Sequence, residues 1–472
     1  MSVLAAVDLG ATSGRVILGH VAPDRIDLEV VHRFGNHPVR TPDGLHWDVL
    51  ALYREILDGL RTAGRSHAVD GVAVDSWAVD YGLLRGDHLV SAPFHYRDER
   101  TVAGVEKVHA LVDPAELYRR NGLQHLPFTT VFQLAVDDLV ATADAWLLVP
   151  DLLTWWLNGS RWAEATNAST TGLVDVHRRT WDRDLLDRVG LGSLPLPDLV
   201  EPGTRLGGLR PEVAELVGIR PAVTTVGSHD TASAVVGVPM DAGSAAYVSC
   251  GTWGLVGVEL ERPVVTEQAR LAGFTNEGGV DGRIRFLHNV MGLWVLSETI
   301  RTWERESGTD VDLGELLAAA EAVTATVPVF DVDDPRFLPP GDMPARIAEV
   351  CAEQGVPAPT TRAEFARSIL ESLAEAFART VRSAAELSGV DVSVVHVVGG
   401  GSRNALLCQL TADRLGLPVL AGPEEATALG NVLVQARTLG ALSGDLESLR
   451  ARIGAAWTPR RFDPRPTREA TR

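Results

Sequence analysis

The sequence predicts an α/β protein of two domains, and three observations support this fold class. The chain has 472 residues, which is too long for one core of typical size. Short apolar runs alternate with segments of helical spacing through the first half, as they do in α/β units. An apolar strand followed by a turn rich in glycine and hydroxyl side chains occurs twice, near the start and again mid-chain. We therefore expect one such turn in each domain.

The elements can be predicted in chain order from apolar periodicity and turn residues. In the first half, apolar runs predict a strand that ends near Asp8, strands over 69–75, 146–149 and 223–227, and a helix over 50–59. In the second half, a strand over 245–250 comes first. The clearest helix begins at Thr361, which has capping-box spacing to Glu364, and ends at Gly389 before a strand over 394–398.

The domain boundary is predicted where glycine and proline interrupt the chain between residues 235 and 245. This gives an N-terminal domain over 1–240 and a C-terminal domain over 241–457. Residues 458–472 are rich in arginine and proline, so an extended, solvated tail is expected there.

Composition excludes several function classes. A net charge of −19 opposes nucleic-acid binding, which depends on basic side chains that neutralise phosphates. No apolar run is long enough to span a membrane and no signal segment precedes the first strand, so we expect a cytoplasmic protein. The three cysteines, Cys250, Cys351 and Cys408, are scattered and predict neither a disulfide framework nor a zinc site.

The two turns have the composition of phosphate-binding loops. The first runs through Ala11, Thr12, Ser13, Gly14 and Arg15, and the second contains Thr252. Successive backbone N–H groups in such a turn form a concavity that binds anions, and glycine allows the phosphate to approach. Two turns on either side of a cleft would hold the phosphates of a nucleotide. An aspartate at the end of the first strand, Asp8, suits Mg²⁺ bound through water.

The only lysine, Lys107, excludes two other kinds of phosphate site. It lies in a Val-Glu-Lys-Val context and not in a glycine loop. A Walker loop and a protein-kinase strand each require a lysine in a specific context that this chain lacks.

Several motifs together resemble those of the FGGY carbohydrate kinases over nearly the whole chain. They include Asp8-Leu9-Gly10, Trp47-Asp48-Val49, Tyr96-Arg97-Asp98, Gly122–Phe128, Trp181-Asp182, Ser228–Ala234, Thr275–Gly279, Asn289–Trp294 and Gly399–Asn404. The resemblance implies two actin-like (ribonuclease H-like) domains, each with a mixed sheet flanked by helices, and an interdomain cleft that holds the active site.

The resemblance also implies roles for individual residues. Asp230 is the catalytic base, and Asp8 holds the metal through water. The residues implied to contact the sugar are Ala78, His229, Asp230, Thr231 and Asn289. Those implied to contact ATP are Ala11, Thr12, Ser13, Gly14, Arg15, Thr252, Ser297 and Gly400.

The residues alone leave other interpretations open. Asp230 could be a turn aspartate that accepts hydrogen bonds from backbone amides, and Asp8 could cap its own turn. Asn289 could be the N-cap of a helix that follows it. Ala78 stands where the family has glycine, so a backbone contact to sugar requires a negative φ at that position. No protein partner is evident from the sequence.

The activity implied by the resemblance is ATP- and Mg²⁺-dependent phosphorylation of the ketose L-rhamnulose at its C1 hydroxyl, giving L-rhamnulose 1-phosphate and ADP. The alternatives are a kinase of the same family for fuculose, xylulose or glycerol, and a non-catalytic sugar sensor on the same fold.

Overall fold

The computed structural model describes residues 1–465 and has an α/β fold, as the sequence predicts. The strands are β1 Ser2–Leu9, β2 Ser13–Ala22, β3 Arg25–Gly35, β4 Val39–Thr41, β5 Gly44–His46, β6 Gly71–Ser76, β7 Tyr81–Arg85, β8 His88–Leu89, β9 Ala145–Leu148, β10 Ala163–Glu164, β11 Val174–Asp175, β12 Thr180–Trp181, β13 Leu199–Val200, β14 Arg205–Gly208, β15 Ala222–Thr224, β16 Ala245–Cys250, β17 Trp253–Leu260, β18 Thr275–Gly278, β19 Ile284–Met291, β20 Val394–Val398, β21 Val419–Ala421 and β22 Arg460–Phe462.

The helices surround these strands. They are α1 Val49–Ser66, α2 Thr101–His109, α3 Pro114–Asn121, α4 Thr130–Ala135, α5 Val149–Asn158, α6 Ala165–Ala168, α7 Arg183–Arg188, α8 Pro211–Val217, α9 Asp230–Val236, α10 Glu267–Leu271, α11 Trp294–Ser307, α12 Leu313–Glu321, α13 Met343–Glu353, α14 Arg362–Ser388, α15 Ala405–Leu415, α16 Ala426–Thr438 and α17 Leu446–Ala456.

The chain forms two compact units, and neither is one continuous stretch. The first unit comprises 1–239, 259–286 and 426–458, and the second comprises 240–258, 287–425 and, among the described residues, 459–465. The domain boundaries at residues 240 and 457 therefore remain a prediction. The compact units divide the chain differently, because α16 and α17 pack with the N-terminal strands.

A mixed sheet of order β14-β15-β6-β1-β2-β3 forms the framework of the first unit. Strand β1 pairs antiparallel with β2 and parallel with β6, so the carboxyl ends of β1 and β6 lie at the same edge. The face covered by α16 and α17 is apolar, with Leu4, Ile17 and Val432 fully buried in one cluster. This sheet edge is where the predicted residues of the first unit meet.

The second sheet has the order β18-β19-β17-β16-β20-β21-β22 and is also mixed. Strand β16 pairs antiparallel with β17 and parallel with β20. In the second unit the long helix α14 begins with the predicted capping box of Thr361 and Glu364 and ends at Gly389, whose φ of 77° is left-handed. The predicted strand over 394–398 is β20.

The predicted tail over 458–472 is only partly described by the structure. Arg460–Phe462 form β22, which pairs with β21, and Phe462 is buried. This stretch is therefore extended, as predicted, but it pairs at a sheet edge, with Arg460 and Arg461 exposed and Phe462 buried. Residues 466–472 of the predicted tail lie outside the described residues. Across residues 1–465 no helix is both long enough and apolar enough to cross a membrane.

Candidate functional site

Three aspartates lie side by side where strands of the first unit end. Asp8 of β1 is opposite Arg15 of β2 on one side and opposite Asp75 of β6 on the other. The residue after Asp75 forms a bridge to His229, and Asp230 follows as the first residue of α9. Neighbouring strands are about 4.7–4.9 Å apart, which sets the spacing of Asp8 and Asp75. Asp230 completes a row of three carboxyl groups, because it acts electrostatically on Asp75 and Asp8 acts on it.

The turn between β1 and β2 carries the first predicted ATP segment. Its backbone closes through a hydrogen bond from the N–H of Gly10 to the carbonyl of Ser13, 2.9 Å long. Asn36 fixes the turn from the side, because its N–H donates to the carbonyl of Thr12 and its side-chain amide donates to the carbonyl of Gly10. Thr12 is exposed at the tip, so the turn is held in one conformation while its apex stays open to a ligand.

The electrostatics of Asp8 and Asp75 fit a hydrated Mg²⁺ ion. Arg15 contacts Asp8 with both Nε and Nη2 at 2.9 Å, and both contacts go to Oδ2. Asp75 is fully buried. Its Oδ2 accepts from the side-chain amide of Asn431 at 2.5 Å, and its Oδ1 has no hydrogen-bond partner among residues 1–465. Burial raises the pKa of Asp75 well above its usual range, and the charge of Asp8 raises it further. An orphaned buried carboxylate oxygen beside a second carboxylate is a suitable environment for a hard cation or its water.

Asp230 is placed to accept a proton. Its side chain is 29% exposed, and its Oδ1 accepts from the hydroxyl of Thr231 at 3.0 Å. The pKa of Asp230 is raised, first by burial of the group. The charge of Asp8 adds to the rise, while the charge of His229 opposes it. The carboxylate therefore combines solvent access with a raised affinity for a proton.

A buried ion pair holds His229 from behind. Nη2 of Arg285 lies 3.0 Å from Nδ1 of His229, and Oε2 of Glu277 lies 3.2 Å from the same atom. Arg285 is fully buried, and its Nε donates to the carbonyl of Gly278. Its Nη1 lies 3.0 Å from Oε2 of Glu277, which is an ion-pair contact without the alignment of a hydrogen bond. Burial acts to raise the pKa of Glu277, but Arg285 and His229 more than offset it, so this pKa is lowered. Nε2 of His229 is left facing Oδ1 of Asp230 at 3.5 Å.

A second buried carboxylate, Glu164, fixes the segment that precedes Asp230. Its Oε2 accepts from the N–H of Ser228 at 3.0 Å and from the Ser228 hydroxyl at 2.8 Å. The same side chain caps α6 by accepting from the N–H groups of Thr166 and Asn167. Burial raises the pKa of Glu164. This one group thus ties α6 to the turn that leads into α9.

Ala78 lies in a strained turn next to this segment. The N–H of Asp80 donates to the carbonyl of Ala78 at 2.9 Å, and Val79 between them has a φ of 68°. These are the features of a γ-turn with positive φ, a strained conformation that costs about 1–3 kcal/mol. Within residues 1–465 the non-glycine residues with positive φ are Val79, Arg179 and Asp281. Ala78 is not among them, so alanine meets the backbone requirement at this position.

The buried carboxylate of Asp80 orders an aromatic cluster beside Ala78. Its Oδ2 accepts from the indole N–H groups of Trp47 at 2.6 Å and Trp77 at 3.1 Å, and its Oδ1 accepts from Gln133 at 2.8 Å. The rings of Trp47 and Trp77 are 4.0 Å apart between centroids. Burial raises the pKa of Asp80 to about 7, against the opposing effect of these hydrogen bonds. The cluster makes a rigid apolar wall behind the γ-turn.

Helix α9, which begins at Asp230, is positioned by a glycine contact with α16. A Cβ atom at Gly430 would collide with the carbonyl oxygen of Ser233. The contact therefore requires glycine, and it lets the two backbones approach more closely than any larger side chain would allow. In the same helix, Asn431 donates to Asp75, so α16 supports two members of the carboxylate row.

We expect Gly430→Ala to lower the free energy of unfolding by about 1–3 kcal/mol, because the added methyl overpacks the helix contact. Chemical denaturation measures the change. Gly454→Ala is a matched control in α17, where the new Cβ would lie 3.9 Å from Pro239. Since this contact is ordinary, the control should gain about 0.5–1 kcal/mol from helix propensity. Equal effects of the two substitutions would contradict the close contact.

In the second unit, the turn with Thr252 meets the start of α11. The N–H of Trp294 donates to the carbonyl of Thr252 at 3.2 Å, and the N–H of Leu293 donates to the carbonyl of Gly251 at 3.0 Å. Ser297 lies in the first turn of α11, where its N–H donates to the carbonyl of Leu293. The predicted ATP residues Thr252 and Ser297 are therefore close neighbours.

Gly400 lies in a glycine turn that packs against the same strand end. A Cβ at Gly401 would overlap Sγ of Cys250, so this turn lies directly on β16. Gly400 itself is exposed, and no atom of the described residues, other than those of its chain neighbours, lies within 4 Å of the position of a Cβ. Cys250 is buried and burial raises the pKa of its thiol, which fits a small packing residue.

One alternative interpretation is wrong. Asn289 is not a helix N-cap, because it lies inside strand β19, and α11 begins only at Trp294 with Leu293 as its N-cap residue. Strand pairing continues through Met291, whose N–H donates to Asp333 at 2.8 Å. Asn289 is half-buried at the end of this strand.

The structure thus brings the predicted residues together in two groups. In the first unit they are Asp8, Ala11–Arg15, Ala78, His229, Asp230 and Thr231, and in the second unit Thr252, Ser297 and Gly400. Sequence reasoning assigned no role to Asp75, Asp80, Glu164, Glu277 or Arg285. Two signals were present in the sequence. Asp75 ends an apolar run just as Asp8 does. Arg285 also interrupts an apolar run, between Ile284 and Phe286.

Comparisons with known proteins identify the family of this chain. The model of the N-terminal domain of the FGGY family of carbohydrate kinases matches residues 3–237, and the model of its C-terminal domain matches 246–439. The chain is 42% identical to a rhamnulokinase of Pectobacterium carotovorum over 98% of this chain and 93% of that protein. It is 39% identical to a rhamnulokinase of Bacteroides thetaiotaomicron over 97% and 95% of the two chains.

Solved structures share the fold at lower identity. A ligand-bound xylulose kinase from Lactobacillus acidophilus matches with a TM-score of 0.77 at 16% identity, over 99% of this chain and 94% of that one. A glycerol kinase from Plasmodium falciparum with ADP matches with a TM-score of 0.77 at 16% identity, over 98% and 94%. These likenesses confirm the predicted two-domain α/β fold.

Proposed function

Because this chain belongs to the FGGY family of carbohydrate kinases, we propose that it transfers the γ-phosphoryl group of ATP to the C1 hydroxyl of L-rhamnulose. The observation that carries the proposal is the row of carboxylates in the first unit, which ends in a partly exposed aspartate with a raised pKa. The relatives named rhamnulokinase support the choice of sugar. The reaction takes place in the cytoplasm, where ATP is available.

Asp230 removes the proton that makes the sugar hydroxyl a poor nucleophile. The C1 oxygen attacks the γ-phosphorus as its proton passes to the carboxylate, and the bond to the β-phosphate oxygen breaks to release ADP. The hydroxyl of Thr231 and Nε2 of His229 hold one carboxylate oxygen in place. Sugar phosphate and ADP are the products, and Asp230 loses its proton to solvent before the next cycle.

Backbone and charge in the first turn stabilise the transferring group. The N–H groups of residues 11–14 contact the phosphates, and Arg15 supplies a fixed positive charge beside them. Asp8 and Asp75 are the residues that would hold a hydrated Mg²⁺ ion, which would neutralise phosphate charge. Thr252, Ser297 and Gly400 provide further contacts to the nucleotide.

The sugar is bound by groups that the structure holds rigid. The backbone of Ala78 lies on the γ-turn, and the aromatic cluster around Asp80 supports it. His229 and Asn289 provide polar contacts, and the ion pair of Arg285 and Glu277 fixes the orientation of His229. Such support keeps the hydroxyl and the base in a reactive geometry.

Steady-state release of ADP over a panel of sugars tests the proposal. We expect the highest kcat/KM for L-rhamnulose and a value about 10–200-fold lower for L-fructose, which differs by one added hydroxyl at C6. L-Fuculose inverts C4 and leaves buried polar partners unpaired, so its penalty should be larger. A best rate with L-fuculose, D-xylulose or glycerol would overturn the choice of sugar and leave the kinase assignment standing. No ADP release with any sugar would favour a non-catalytic sensor.

A further inference from the structure

Two histidines and a glutamate converge on the first unit away from the carboxylate row. His20 lies on β2 and Glu29 on β3, and the pairing of Leu18 with Glu29 places both side chains on one face of the hairpin. His67 follows the last residue of α1 as its C-cap. Three elements that are separate in the chain thus each contribute one side chain.

The three potential ligand atoms are close enough to share one ion. Nε2 of His20 lies 3.0 Å from Oε2 of Glu29, and Nε2 of His67 lies 3.3 Å from the same oxygen. All three atoms lie within 4.8 Å of one another, and the two imidazole rings meet edge to face. A tetrahedral ion with bonds of about 2.0–2.2 Å separates its ligand atoms by about 3.3–3.5 Å. The distances from Oε2 of Glu29 to the two imidazole nitrogens are already near this range. Small rotations of the partly exposed side chains would bring the distance between the two nitrogens into it as well.

The donor set selects among ions. Two imidazole nitrogens with one carboxylate oxygen suit zinc, whereas Mg²⁺ and Ca²⁺ take oxygen ligands. The side chain of Glu29 is 49% exposed and that of His67 is 28% exposed, so water can reach the fourth coordination position. Without an ion, one carboxylate oxygen is the shared partner of both imidazole Nε2 atoms. With an ion, all three atoms become ligands.

We propose that His20, Glu29 and His67 form a Zn²⁺-binding site that clamps the β2–β3 hairpin to the end of α1. The site is distinct from the proposed phosphoryl-transfer site, because His20 is five residues from Arg15 along β2, roughly 17 Å in an extended strand. The ion therefore stabilises the first unit and takes no part in the transfer. The proposal does not depend on the identity of the sugar.

Calorimetric titration of the untagged full chain with Zn²⁺, without nucleotide, tests the proposal. We expect one ion per chain and a rise in Tm as Zn²⁺ is added. Co²⁺ in place of Zn²⁺ should give the intense visible absorption of a tetrahedral complex. Loss of a residue that only supports a metal ligand typically weakens metal binding by about 10–100-fold. His20→Gln and His67→Gln each remove a ligand itself, so each should weaken Zn²⁺ binding by more than that.

A histidine–glutamate pair that joins β3 of the same hairpin to α1 provides a matched control. Nε2 of His32 contacts Glu55 at 2.8 Å, but this pair has no second imidazole. His32→Gln should leave the Zn²⁺ affinity unchanged, and ADP release by all three variants should equal that of the parent. Absence of saturable binding, an octahedral Co²⁺ spectrum, or affinity that survives His20→Gln and His67→Gln together would overturn the site.

Discussion

Replacement of Asp230 by asparagine should lower kcat by about 10²–10⁴-fold while the affinity for sugar changes only a few-fold. The substitution keeps the size of the side chain and its contact with Thr231, but it removes the group that accepts the proton. The change should therefore appear in the chemical step and not in binding. Steady-state kinetics with L-rhamnulose and MgATP, together with equilibrium sugar binding, separate the two quantities.

The pH dependence provides a second readout of the same role. Only the ionised carboxylate can act as base, and burial and the charge of Asp8 raise the pKa of Asp230. The acidic limb of kcat/KM in the parent should therefore lie above the value of 3.8 for an ordinary aspartate, and activity should fall as pH drops through it. Asp241→Asn, at an exposed turn aspartate, is the control and should behave as the parent. Turnover near the parent rate in Asp230→Asn would remove Asp230 from this role.

Replacement of Arg285 by methionine should lower the free energy of unfolding by about 3–5 kcal/mol. Arg285 is fully buried, and its loss leaves the buried carboxylate of Glu277 without its main counter-charge. The pKa of Glu277 is lower in the folded protein than its unfolded value of 4.5. The ion pair therefore stabilises the folded protein at pH values above 4.5, and this stabilisation is lost as the pH falls through the folded pKa. The destabilisation by Arg285→Met should therefore be largest at neutral pH.

Chemical denaturation at pH 7 measures this effect, and two further variants make it specific. Glu277→Gln combined with Arg285→Met should recover part of the loss, because no unpaired charge remains buried. Arg379→Met removes an arginine that pairs with Asp331 at the surface, and it should cost at most about 1 kcal/mol. A loss in Arg285→Met as small as in this control would show that the pair contributes little to stability.

Local signals in the sequence were sufficient for the main elements. The spacing of Thr361 and Glu364 predicted the start of α14, and the apolar run over 394–398 predicted β20, because a capping box and a buried strand depend on adjacent residues. The predicted residues 11–15 form the β1–β2 turn and the start of β2 for the same reason.

The supporting side chains depend on contacts between distant residues and could not be predicted in this way. Glu164 and Ser228 are 64 residues apart, and His229 and Arg285 are 56 residues apart. Asn289 was open to a helix-cap interpretation because asparagine favours caps, whereas pairing in β19 and the hydrogen bond from Met291 to Asp333 extend the strand past it. Tertiary pairing overrides the local preference there.

The return of α16 and α17 to the first unit has a consequence for synthesis on the ribosome. Val432 and its neighbours bury Leu4 and Ile17, so one face of the N-terminal sheet stays uncovered until residues 426–458 emerge. At about 5–20 residues per second, the interval between translation of residue 239 and residue 426 is roughly 10–40 s. During that time the nascent chain exposes an apolar sheet face, which is a binding surface for chaperones and a risk of aggregation in polysomes.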